Sequence, residues 1–158
     1  MIIYKLIGSA GLVASGIWFY FIREKFQKRK ELQFSAYIKL ISYIKNQIEC
    51  YMLPIDTIIA ECDIELLSEC GSVNRASTLV DFLDNSTFYI DEDVIRLLYD
   101  FAEDFGLKYY NEQIKTCDRY INELNKSREV YLNQRAKDKK LSFAICLSIS
   151  FSLILILI

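Results

Sequence analysis

The chain of 158 residues carries 19 Lys and Arg against 21 Asp and Glu, has no histidine, and contains one proline and five glycines. The missing histidine removes the commonest acid–base catalyst, the commonest metal ligand, and any Ser-His or Cys-His nucleophile pair. There is also no G-x-x-x-x-G-K-[ST] or G-x-G-x-x-G loop, so nucleotide binding has no support and no cofactor or metal is expected.

The first element is an uncharged run over residues 6–22, with Lys5 able to snorkel to headgroups. It predicts an N-terminal transmembrane anchor over residues 1–25. A cleaved signal peptide is the competing reading, since Ala14-Ser15-Gly16 is a passable cleavage site. The apolar run continues past that site through Ile17-Trp18-Phe19-Tyr20-Phe21-Ile22. Aromatic residues at that end suit a membrane–water interface.

Residues 26–140 predict one helical domain, with Pro54, Gly71 and Gly106 as its few breakers. Phe34, Tyr37, Ile38, Ile41, Ile44, Ile48 and Met52 form a stripe at spacings of three and four. The stripe predicts a long helix ending near Leu53, because the residue before proline avoids helical backbone. Pro54 then opens a second helix running to about Cys62. A third is expected over 64–69, closed by Gly71, and a fourth over about 75–83. Residues 86–90 read as extended but without a partner strand. Asp91 is the expected N-cap of a fifth helix, with Glu92 and Asp93 at its positive end. Its core face is Val94, Leu98, Phe101 and Phe105, and Gly106 is the expected left-handed cap.

The last helix carries Ile114, Cys117, Ile121, Leu124 and Tyr131 along one seam, with Arg128 and Arg135 in line. No breaker occurs from Tyr109 onward. A single helix of about 50 residues is therefore expected, with a break in the polar stretch 136–140 as the alternative. Residues 141–158 are eighteen uncharged positions. As a helix they extend about 27 Å against a hydrocarbon core of about 30 Å, which predicts a C-terminal transmembrane helix. A buried C-terminal helix is the competing reading, although such a helix usually keeps a polar face.

The fold class expected is all-α, an antiparallel helical bundle between two terminal transmembrane helices. Arg23, Lys25, Lys28, Arg29 and Lys30 follow the first apolar run, and Arg135, Lys137, Lys139 and Lys140 precede the second. Positive flanks stay in the cytoplasm, so both place the middle of the chain there. These nine residues form a membrane-proximal basic collar, with anionic lipid as its partner. Residues 31–134 hold nine Lys or Arg against nineteen Asp or Glu, a balance of −10. That acidic body serves solubility or docks a basic partner, and it disfavours nucleic acid. Cys50, Cys62, Cys70, Cys117 and Cys146 lack zinc spacing and read as reduced, buried small hydrophobes. Glu49, Asp56, Glu61 and Asp63 are carboxylates an enzyme would use, but at this spacing they read as a solvated face. No enzyme is expected.

The layout resembles the stage III sporulation protein AB family of endospore-forming bacteria over nearly the whole chain. The resemblance rests on the anchor, the basic striped helix ending in Ile48…Leu53-Pro54-Ile55, the stretch Leu97-Leu98…Phe101…Phe105-Gly106-Leu107, Gln113, and a long charged helix entering an apolar segment. The chain departs from the family at Cys50-Tyr51, where a Tyr-Gly pair is usual, and at Lys108-Tyr109, where a polar cap is usual. It also lacks the glycines of the last span. The resemblance implies a non-enzymatic platform subunit of the secretion-like channel between mother cell and forespore. Its soluble domain would be similar to that of the type II secretion platform protein and lie on the mother-cell side of the outer forespore membrane. A cytoplasmic secretion ATPase of the same operon and other channel subunits would be its partners, and a homo-oligomer is compatible with that layout. A membrane-anchored scaffold or adaptor unrelated to sporulation is the alternative function.

Overall fold

The computed structural model describes the backbone of residues 2–72, 74–105 and 109–157, and the side chains of residues 17–18, 20–72, 74–105, 109–141, 145 and 148. The described residues are all-α and form six helices: α1 (Ile2–Tyr51), α2 (Ile55–Glu61), α3 (Ile64–Cys70), α4 (Leu79–Asp84), α5 (Glu92–Phe105) and α6 (Tyr110–Leu157). No strand occurs among the described residues. Two compact units divide the chain, one of residues 1–28 with 130–158, the other of residues 29–129. The sequence runs 6–22 and 141–158 lie largely outside the residues with described side chains. Among the described residues no helix is long and apolar enough to cross a membrane.

In the 29–129 unit, α1 buries Phe34, Tyr37, Ile41, Ile44 and Ile48 as its spacing predicts, together with Ala36 and Leu40. Tyr37 sits edge-on to Phe82 of α4 at 6.4 Å and stacks on Phe88 at 6.1 Å. Met52 does not continue the stripe. The helix stops at Tyr51, and Met52 turns left-handed (φ 53°) while its N–H still reaches the Ile48 carbonyl. The αL turn swings its side chain away from the buried face.

Pro54 is the cap of α2 rather than its first residue, with extended backbone (ψ 149°). Asp63 caps α3 by accepting the Glu65 N–H, and Gly71 closes it at φ 108°. Only glycine fits there, because an added Cβ would meet the Thr87 carbonyl oxygen at 2.4 Å. The fourth helix starts at Leu79, later than the expected 75. The Thr78 hydroxyl accepts the Asp81 N–H, and the Asp81 carboxylate accepts back from the Ser77 N–H. The Thr78 cap satisfies a first-turn N–H and so fixes the start at Leu79.

Residues 86–90 do have a partner, contrary to expectation. Ser86 bridges Ser72, and the Thr87 N–H donates to the Gly71 carbonyl. Gln33, 2 % exposed on α1, completes the junction. Its amide nitrogen donates to the carbonyls of Cys70 (2.8 Å) and Thr87 (2.7 Å), and its oxygen accepts the Tyr89 N–H (2.7 Å). A turn that would otherwise bury orphan backbone groups is thereby satisfied from a helix.

Asp91 precedes α5 as expected, and its carbonyl accepts from Val94 and Ile95. Its carboxylate accepts from Lys30 instead. Val94, Leu98, Phe101 and Phe105 are all buried. The expected cap at Gly106 lies outside the described residues. From α6, Cys117, Tyr120 and Leu124 are buried, with Ile114 and Ile121 half-buried. Phe101 meets Tyr120 edge-on at 5.2 Å. Asp104 joins α5 to α6 by accepting from Arg119 (2.7 Å) and from the Tyr120 hydroxyl (3.1 Å). The α6 helix continues through 136–140 without the alternative break.

Candidate membrane-proximal collar

In the unit of residues 1–28 and 130–158, α1 and α6 each contribute alternating charges. Arg135 donates to Glu24 at 2.7 Å, and both side chains are largely buried. One turn along α1, the Tyr131 hydroxyl donates to the Gln27 side-chain oxygen and lies 3.1 Å from the Gln27 carbonyl. Arg23 lies 3.9 Å from Asp138, at the edge of ion-pair range. Arg23, Glu24, Gln27, Arg135 and Asp138, with Tyr20 and Lys139, line a recess of about 40 Å³, too small for more than a water or two.

By sequence all nine basic residues are equivalent members of one collar. The structure separates them. In this unit Lys25, Lys28, Lys137, Lys139 and Lys140 are exposed with no ion pair among the described residues, whereas Arg135 is committed to Glu24. Exposed apolar side chains adjoin these lysines along the same helices: Ile17, Trp18 (71 % exposed), Phe21, Ile22 and Phe26 on α1, Leu141 and Ile145 on α6. Exposed apolar and aromatic side chains on the same helices as exposed lysines are costly against water and suited to an interface between water and hydrocarbon.

In the 29–129 unit, Arg29 rests its guanidinium 5.5 Å over the Tyr89 ring and donates to the Tyr89 hydroxyl. Lys30 differs most from the expectation. Its side chain is 11 % exposed and its ammonium lies 2.5 Å from Asp91, so it acts as a buried tie between α1 and the start of α5. Glu24, Asp138 and Gln33 do not stand out in the sequence, although the first two interrupt the basic runs and the third directly precedes the apolar stripe.

The thiols of this unit are poorly suited to nucleophilic chemistry. Burial pushes the Cys70 thiol well above its ordinary range, and burial with help from Asp118 pushes Cys117 up to about 12. Cys62 is also raised, chiefly by burial. Cys50, by contrast, is exposed rather than buried as the sequence suggested.

The geometry defines a class: an all-α protein with a lysine-rimmed apolar surface at one unit and an acidic, closely packed second unit. Comparison with protein-family models, curated proteins and solved structures gives no match.

Proposed function

We propose that this protein is a non-enzymatic membrane platform subunit whose 26–140 body lies in the cytoplasm between two terminal transmembrane helices. By resemblance, the assembly is the sporulation channel between mother cell and forespore, and the body docks a cytoplasmic secretion ATPase. The observation that carries the membrane part is the exposed belt of Trp18, Phe21, Ile22 and Leu141 beside Lys25, Lys28, Lys137, Lys139 and Lys140. Lysines at such a boundary keep their side of a span in the cytoplasm and add about 1 kcal/mol each of attraction to an anionic leaflet. The two uncharged sequence runs to which these apolar residues belong have the length of spans.

The test has two arms. Carbonate extraction should leave the full chain in the membrane, and a reporter fused at residue 80 should read as cytoplasmic. A fusion that reads as external, or release by carbonate, would end the membrane reading. In the second arm, a deletion strain should fail in sporulation and the operon ATPase should co-purify with the full chain. Normal sporulation with intact membrane anchoring would favour the scaffold unrelated to sporulation.

A further inference from the structure

Within the 29–129 unit, α1, the end of α3 and the segment before α5 leave an open recess of about 260 Å³ between them. Arg29, Leu32 and Lys39 line it from one face of α1, at spacings of three and seven residues, with Glu69 of α3 and Tyr89 among the groups that complete it. The volume is near the lower end of the range in which proteins hold small molecules, about 300–1,000 Å³.

The hydrogen-bonding inventory of the walls selects the ligand. Gln33 lines the recess too, but both of its amide N–H groups are already given to the Cys70 and Thr87 carbonyls. The hydroxyls of Ser35 and Ser68 donate to the Glu31 and Glu65 carbonyls, so toward a ligand they can only accept. Lys39 and Glu69 hold each other at 3.2 Å and offset each other's charge.

Arg29 differs from all of these. Its guanidinium lies 5.5 Å over the Tyr89 ring and donates one N–H to the Tyr89 hydroxyl at 3.2 Å. It has no carboxylate partner among the described residues, and a guanidinium carries five N–H donors in a fork that matches a carboxylate or phosphate. Tyr89 is itself fixed through its backbone N–H to Gln33 at 2.7 Å. The cation is therefore held in place before any ligand arrives, which lowers the ordering cost of binding. Beside it, Leu32 (66 % exposed) and the Tyr89 ring supply apolar surface.

We propose that this recess binds a small amphiphilic anion, a carboxylate or phosphate on a compact apolar body, with Arg29 pairing the anionic group and Leu32 and Tyr89 covering the rest. Such binding is independent of the platform reading. A soluble organic acid and an anionic lipid share this chemistry, and the experiment separates them.

Equilibrium dialysis of the full chain in a non-ionic detergent, corrected with empty micelles, measures binding of phenylacetate. The dissociation constant should be about 1 mM or tighter, ordinary for a ligand of this size. Neutral phenylacetamide should bind at least about tenfold more weakly, and Arg29→Gln should weaken phenylacetate by at least about as much, the loss of a charge-assisted pair. Leu32→Glu places a carboxylate three residues from Arg29 on the same helix face. It should occupy the guanidinium and abolish binding, with helicity and thermal midpoint unchanged. Displacement of phenylacetate by dihexanoyl phosphatidylglycerol would assign the site to a lipid headgroup, and failure to displace would assign it to a soluble acid. Saturable binding of neither probe, equal affinity for phenylacetamide, or wild-type affinity in both Arg29→Gln and Leu32→Glu would overturn the site.

Discussion

Replacing Gln33 tests whether one buried amide holds the α3–α4 connection onto α1. In Gln33→Leu the Cys70 and Thr87 carbonyls and the Tyr89 N–H all lose their partner, in a site where Gln33 is 2 % exposed. Each buried group left unsatisfied costs about 1–3 kcal/mol, so for three groups the expected loss is roughly 3–9 kcal/mol, a large part of an ordinary stability of about 5–15 kcal/mol. Gln33→Glu separates shape from hydrogen bonding. Its carboxylate still accepts from Tyr89 but faces two carbonyls where an amide donated, so the folded state favours the protonated acid. A raised folded pKa means that the native state binds the extra proton. The penalty relative to wild type is therefore smallest below the unfolded value of about 4.3 and grows as pH rises above it. Urea unfolding of the full chain, followed by circular dichroism at pH 4.5 and pH 7, reads both effects. A Gln33→Leu loss under about 1 kcal/mol, or a Gln33→Glu penalty independent of pH, would refute the reasoning.

Three further outcomes follow from the packing. Gly71→Ala should destabilise by at least about 2 kcal/mol in the same unfolding assay, because the left-handed backbone is strained for alanine and its Cβ meets the Thr87 carbonyl at 2.4 Å. With Cys146→Ser as background, Cys50 should react rapidly with a thiol reagent at pH 8, while Cys62, Cys70 and Cys117 react only on unfolding. The same thiols set an alkaline limit: Cys117 ionises near 8.5 when unfolded but is pushed up to about 12 when folded. Stability is thus full below about pH 8.5 and declines toward pH 12, with a shallower decline in a Cys70→Ala, Cys117→Ala variant. For the largely buried Glu24–Arg135 pair, a double-mutant cycle should give a coupling of about 1 kcal/mol or more, and the charge swap Glu24→Arg with Arg135→Glu should recover part of it. A coupling near zero would mark the pair as incidental.

Much of the helical layout was legible in the chain itself. Apolar spacing located α1, α5 and α6, and Pro54 and Gly71 marked real ends, because helical periodicity and left-handed backbone are local properties of a few consecutive residues. What stayed hidden depends on residues far apart in sequence. Gln33 reads as a polar residue just before the apolar stripe until the α3–α4 connection, 37 to 56 residues away, is folded against it. Lys30 and Arg135 read as lipid-facing cations until Asp91 and Glu24 are placed beside them. Met52 reads as the last rung of the apolar face, and only the left-handed turn after Tyr51 exposes it. Local pattern set which segments are helical. The pairing of distant polar groups, whose energy depends on burial and on a partner within about 3 Å, was decided only by the tertiary structure.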